Sequence, residues 1–260
     1  MRERILERLK QLETEHGVWV LYACESGSRA WGFASPDSDF DVRFIYARPV
    51  EWYLTIDVEH RRDVIECPII DALDIAGWDI RKALKLLSRT NGALLEWLHS
   101  PIVYRDQGAF RERLQQLAAT AVDARGLCYH YAHMARGNAG EFLDGEEVRL
   151  KKYFYVLRPL LAIRHIESTG CLPPVEFQKL VESFAPEALR PEIDALLERK
   201  RRTEELGVGP PMPLIDAFIR EELARHEAGF HGVGRPDIEA RPAVLEELNR
   251  LFRDVLSGEA

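Results

Sequence analysis

Apolar positions recur at helical spacing at the start of the chain: Ile5, Leu9 and Leu12 punctuate the charged stretch "MRERILERLKQLETEHG", and Gly17 stops the pattern. An amphipathic helix is predicted there. "VWVLYA" (18 to 23) follows as a continuous apolar run, too short for a helix and rich in branched and aromatic residues, which reads as a buried strand. "FDVRFIY" (40 to 46) then alternates, with Asp39, Asp41 and Arg43 on one side and Phe40, Val42 and Phe44 on the other, as a second strand. "DVIECPII" (63 to 70) and "ALDIAG" (72 to 77) are further short extended segments, and Pro68 confines the first to an edge or a bulge. "DIRKALKLLSRT" (79 to 90) and "NGALLEWLHS" read as helices with Trp78 and Trp97 as packing anchors, and "PIVYRD" (101 to 106) closes this half as a strand.

From about residue 107 the pattern is nearly all helical. It runs through "FRERLQQLAATA", "RGLCYHYAHMARGNAGEFL", "EEVRLKKYFYVLRPLLAIRHIES", "PEIDALLERKRRTEEL" and "PLIDAFIREELARHEAG", with breaks at "STGCLPP" and "GVGPPMP". Pro159 is expected to kink its helix or mark its break. The expected fold class is α+β: a small mixed β-sheet with flanking helices over residues 1–105, followed by an all-helical domain over residues 106–260.

Composition then narrows the function classes. With 46% hydrophobic and 30% charged residues the chain is globular in type, and its net charge of -8 offers nucleic acid no bulk attraction. Lys and Arg number 14 against 17 Asp and Glu before residue 106, and 21 against 26 from there on, so neither half is basic. A local groove of a few Lys and Arg remains compatible with a triphosphate or a short RNA end. No apolar run approaches the roughly 18 to 20 residues of a membrane helix, and the N-terminal stretch has no signal-peptide core, so a cytoplasmic protein without a membrane partner is expected. Cys24, Cys67, Cys128 and Cys171 are spread without a C-x-x-C pair, which argues for reduced thiols over a zinc knuckle or a disulfide framework. His130 and His133 lack a third ligand at metal spacing and read as a core or surface pair.

The chemistry-bearing stretch is "ESGSRAWGFASPDSDFDVRF". Carboxylates at i and i+2 of a strand point the same way, and their repulsion is relieved when a divalent cation sits between them. Magnesium suits such a site, with manganese as an alternative, because it takes oxygen ligands and bridges carboxylates to substrate phosphates. Gly27 and Ser28 fit the same task, since glycine lets backbone N–H groups approach phosphate oxygens and the serine hydroxyl adds a donor; Arg29 adds a charge at the rim. Arg43 shares the carboxylate face, either holding Asp41 or touching a phosphate.

"GSRAWGFASPDSDFDVRF" resembles the signature of the DNA polymerase beta-like nucleotidyltransferase superfamily, G-S followed by D-x-D. "LDIAGWDIRKALKLLSRTNGALLEWLHSPIVY" and "KKYFYVLRPLLA" resemble its bacterial and phage group linked to RNA-repair pathways. The resemblance implies magnesium-dependent transfer of a nucleoside monophosphate from a nucleoside triphosphate such as ATP to an acceptor hydroxyl, an RNA end being one acceptor. A protein side chain or a small molecule is another, and a nucleotide- or RNA-binding module without catalysis is the non-enzymatic alternative. It implies a first domain that is the nucleotidyltransferase domain and a helical domain that completes the nucleotide cleft. Asp39 and Asp41 become catalytic metal ligands, and Asp74, in its "LDI" setting, becomes the third. Asp79 competes for that place but precedes a helix, where a capping acid is ordinary; Asp63 and Asp71 are lesser rivals. Gly27, Ser28 and Arg29 are the nucleotide contacts of the G-S turn, Lys82 is a further candidate from its place on the helix after Asp74, beside Arg81 and Lys85, and the resemblance implies Lys152 and Arg158 as phosphate contacts on a basic helix.

Overall fold

A computed structural model describes residues 1–140, 147–202, 207–234 and 241–258. The chain starts as α1 (Arg2–His16), which buries Ile5, Leu9 and Leu12 and closes on Gly17 in the left-handed region, where glycine carries no steric cost. Next come β1 (Trp19–Glu25), a single turn α2 (Gly27–Ala30), β2 (Phe40–Ala47) and the short α3 (Val50–Tyr53). β3 (Val64–Glu66) and β4 (Leu73–Asp79) lead into α4 (Ile80–Leu87) and α5 (Gly92–Leu98), and β5 (Val103–Asp106) leads into α6 (Phe110–Ala121). The remainder is α7 (Ala124–Gly140), β6 (Val148–Arg149), α8 (Lys151–Thr169), α9 (Phe177–Phe184), α10 (Arg190–Arg202), β7 (Val208–Gly209), α11 (Pro213–Glu227) and α12 (Arg241–Ser257). The helical stretches expected to run through Leu143 and Leu206 fall partly outside the described residues.

Two compact units emerge, one of residues 1–27, 39–122 and 237–260, the other of residues 28–38 and 123–236. The line expected near residue 105 runs through β5, inside the first unit, because α6 packs on β1 and α12 packs on α4 and α6. Arg113 reaches Asp254 at 2.5 Å, and the Phe252 ring meets that of Tyr53 edge-on at 5.1 Å, so residues far apart in sequence complete this unit.

The first unit is built on a five-stranded sheet of order β3-β4-β2-β1-β5. It is mixed: β2 and β4 run parallel, and the other neighbours are antiparallel. The two strands flanked by Pro68 and Pro101 form its edges, where a missing N–H does least harm. One face packs Val42, Phe44, Tyr46, Leu73 and Ile75 against Ile5, Leu9 and Leu12 of α1. Gly77 is required there, since a Cβ at that position would stand 2.3 Å from the Phe44 ring. The opposite face is apolar toward the ends of β2 and β4, where Trp78 stacks on Trp97 at 3.8 Å, and polar at their beginnings. Cys24 and Cys128 are buried free thiols, and burial pushes each up to about 12.

Among its described residues the second unit has helices and one two-stranded ribbon, formed by β6 and β7. Residues 148 and 149, expected within a helix, pair instead with Val208 and Gly209, so α8 begins at Lys151. α8 also runs through Pro159 without ending there. Eleven of its residues are buried, Pro159 among them, and that burial outweighs the roughly 3 kcal/mol a proline costs inside a helix. Phe33 lies against Phe154 at 4.9 Å and Phe177 at 5.7 Å. Buried acids are matched: Tyr153 donates to Asp216 at 2.8 Å, and Glu222 pairs with Arg164 and Arg225.

Candidate active site

The parallel register of β2 and β4 sets Asp41 beside Asp74. Paired positions on neighbouring strands lie about 4.8 Å apart and share a face, so the two side chains stand next to each other. Arg43 lies two residues further along β2 on the same face. Its guanidinium donates to Asp74 Oδ2 at 2.8 Å and to Asp41 Oδ1 at 3.4 Å, and also reaches the carbonyls of Val42 and Asp74 at 3.0 and 3.2 Å. Both carboxylate side chains are 27% exposed and that of Arg43 is 19% exposed, so solvent and solutes reach the group.

Asp41 is fixed from the end of β1. Ser26 N–H donates to the Asp41 carbonyl at 2.8 Å, and Asp41 N–H donates to Glu25 Oε1 at 2.7 Å. Glu25 is wholly buried; the Tyr104 hydroxyl donates to its other carboxylate oxygen, and Ser100 Oγ donates to its carbonyl at 2.6 Å. Gly27 has φ +58°, and a Cβ there would lie 2.1 Å from Asp41 Oδ2. Glycine is therefore needed twice, for the backbone angle and for the space its missing side chain leaves to a carboxylate. The G-S step and the D-x-D acid are thus in direct contact through Gly27. Glu25 was not among the residues singled out from sequence, although an acid that ends an apolar strand just before Gly-Ser is a readable signal.

The other expected residues are placed as follows. Asp39 stands exposed in the loop before β2. Asp79 is buried and caps α4, accepting from Arg81 N–H and the Tyr53 hydroxyl, each at 2.9 Å. Burial pushes its carboxyl up to about 6, against the downward pull of those two donors. Lys82 pairs with Asp63 at 2.9 Å beside Asp79, at the far end of β4 from Asp74, and Asp71 is exposed and paired with Arg4. In the second unit Arg29 donates to the Ser38 carbonyl at 2.6 Å, and Ser28 is buried. Lys152 lies 6.0 Å from the Tyr155 ring centre. Arg158 is buried with its guanidinium 4.6 Å from the Trp31 ring, and its Nε donates to the Val175 carbonyl.

Among the described residues no three His, Cys, Asp or Glu side chains are grouped to hold an ion; the structure brings together two of the three implied acids. Magnesium is commonly held through one or two carboxylates together with substrate phosphates and water. Asp41 and Asp74 fit that donor set, and the room at Asp41 Oδ2 exists because residue 27 has no Cβ.

A family model described as RNA repair pathway DNA polymerase beta family matches residues 1–254. The uncharacterized protein YcgL of Bacillus subtilis (strain 168) is 50% identical over 226 residues, 86% of this chain and 86% of that protein. Among the described residues no helix is long and apolar enough to cross a membrane. The family match takes in the first two segments of the sheet-bearing unit whole, Asp41 and Asp74 included, and reaches residue 254 in the third, and on that extent of agreement the chain belongs to the RNA repair pathway DNA polymerase beta family.

Proposed function

We propose that this protein transfers a nucleoside monophosphate from a nucleoside triphosphate to an acceptor hydroxyl, the acceptor being an RNA end. The observation that carries the reading is the pairing of Asp41 with Asp74 while Gly27 lies against Asp41. Asp41 and Asp74 would hold magnesium or manganese, which when bound neutralises charge on the transferred phosphate and the leaving pyrophosphate. Asp39, carried over from the motif, is proposed as the third acid. The buried Glu25 keeps the Asp41 backbone in place, so the carboxylate presents one orientation to substrate. The acceptor oxygen bonds to the α-phosphorus as the bridge to pyrophosphate breaks, and the hydroxyl proton passes to a carboxylate of this face. The RNA acceptor is supported by the family description, and the exposure of Asp41 and Asp74 lets a polymer end approach them.

The test is α-labelled nucleoside triphosphates incubated with RNA of defined ends, with partner protein and with small alcohols, in magnesium, in manganese and in chelator. Label should enter RNA with wild type and a divalent ion. It should be lost with D41N and with D74N that retain the wild-type circular dichroism spectrum. An active D41N enzyme, or labelling of protein or alcohol in place of RNA, would overturn the corresponding part of the proposal.

A further inference from the structure

On the acidic face Arg43 pairs with both carboxylates, with Asp74 at 2.8 Å and with Asp41 at 3.4 Å. A guanidinium is planar, permanently charged and carries several donors in a fixed fork, so one side chain reaches two carboxylates and two carbonyls at once. Two neighbouring carboxylates repel, and a cation between them removes that cost. We propose that Arg43 is a positioning residue that acts as the internal cation of the Asp41–Asp74 pair and gives up that place to the divalent ion. It keeps the two acids at their paired spacing, and it competes with the ion for the same oxygens. The protein would thereby hold its acidic face in order at low divalent concentration and load it only when the ion outbids an intramolecular ligand.

This rests on the metal reading above, and its signature is in binding as well as in turnover. Removing the guanidinium leaves two like charges adjacent and takes away the competitor. Both effects tighten ion binding, and both lower stability in chelator. Manganese is the probe, followed by electron paramagnetic resonance and titration calorimetry, with melting measured in chelator. R43M should bind Mn2+ about five- to tenfold more tightly than wild type, equivalent to about 1–1.4 kcal/mol. It should melt lower than wild type in chelator, and the added substitution D74N should recover part of that loss by removing the repulsion. R43Q, which can still donate to one carboxylate, should fall between the two and serves if R43M does not fold.

Wild type and R43M binding Mn2+ equally, or R43M binding it more weakly, would overturn the proposal while leaving the metal site standing. Failure of both proteins to bind Mn2+ would overturn the metal site and this proposal with it. A D74N substitution that lowers the melting temperature of R43M further would refute the repulsion on which the argument depends.

Discussion

Asp74 and Asp79 belong to one strand, five positions apart, and so face opposite sides of the sheet. Asp74 is partly exposed, answered by a guanidinium at 2.8 Å and set beside a second acid. Asp79 is buried, accepts only neutral donors in its hydrogen bonds and carries a carboxyl raised to about 6. Equal chemistry at the two ends of β4 thus stands in two settings: one acid is partly exposed and paired with a guanidinium, the other caps a helix and accepts from Tyr53. What separates them is burial and the charge of their neighbours.

The comparison breaks most sharply in activity. D74N should reduce nucleotidyl transfer by on the order of 10³-fold or more, whereas D79N should leave transfer within about a few-fold of wild type, as steady-state labelling would show. Comparable losses from both would dissolve the distinction. Next in size is G27A, whose methyl group would need the space of Asp41 Oδ2 at a positive φ; a loss of roughly 3 kcal/mol in urea unfolding is expected, together with impaired transfer.

Stability against pH sharpens the other end of the strand. The folded carboxyl of Asp79 is raised from the ordinary 3.8 to about 6, so the unfolded chain gives up this proton first and stability falls as pH rises between those values. The full penalty above pH 6 is about 3 kcal/mol, and it should vanish from the unfolding profile of D79N. The smallest effect belongs to Y53F, which removes a donor that pulls Asp79 down. It should cost about 1 kcal/mol at neutral pH and move the falling limb of the profile upward in pH.

Much of the sheet was legible because its signal is local. The alternation of "FDVRFIY" put Asp41 and Arg43 on one face, Pro68 pointed to an edge, and the indoles of Trp78 and Trp97 do pack on one another. Asp74 was singled out through family resemblance alone, and its parallel pairing with Asp41 was not foreseen, because register across a long connection has no local pattern. Glu25 escaped notice since its role depends on Tyr104 and on the backbone of Asp41, both distant in sequence. The ribbon of Val148–Arg149 with Val208–Gly209 is too short to alternate, and the passage of α8 through Pro159 is decided by tertiary packing. Lys82 looked like a phosphate contact from its place after Asp74, but strand length carries it to Asp63 at the opposite end.

The position of α12 has a consequence for biosynthesis. The unit bearing Asp41 and Asp74 draws on residues 237–260, whereas the other unit is complete in sequence by residue 236. On the ribosome the sheet therefore emerges early with Tyr53 and Arg113 still lacking Phe252 and Asp254, and it waits through the synthesis of an entire helical unit before its last helix arrives. During translation the nascent acidic face is carried by an unfinished scaffold, and a stall before residue 241 would leave α4 and α6 without the helix that packs on them.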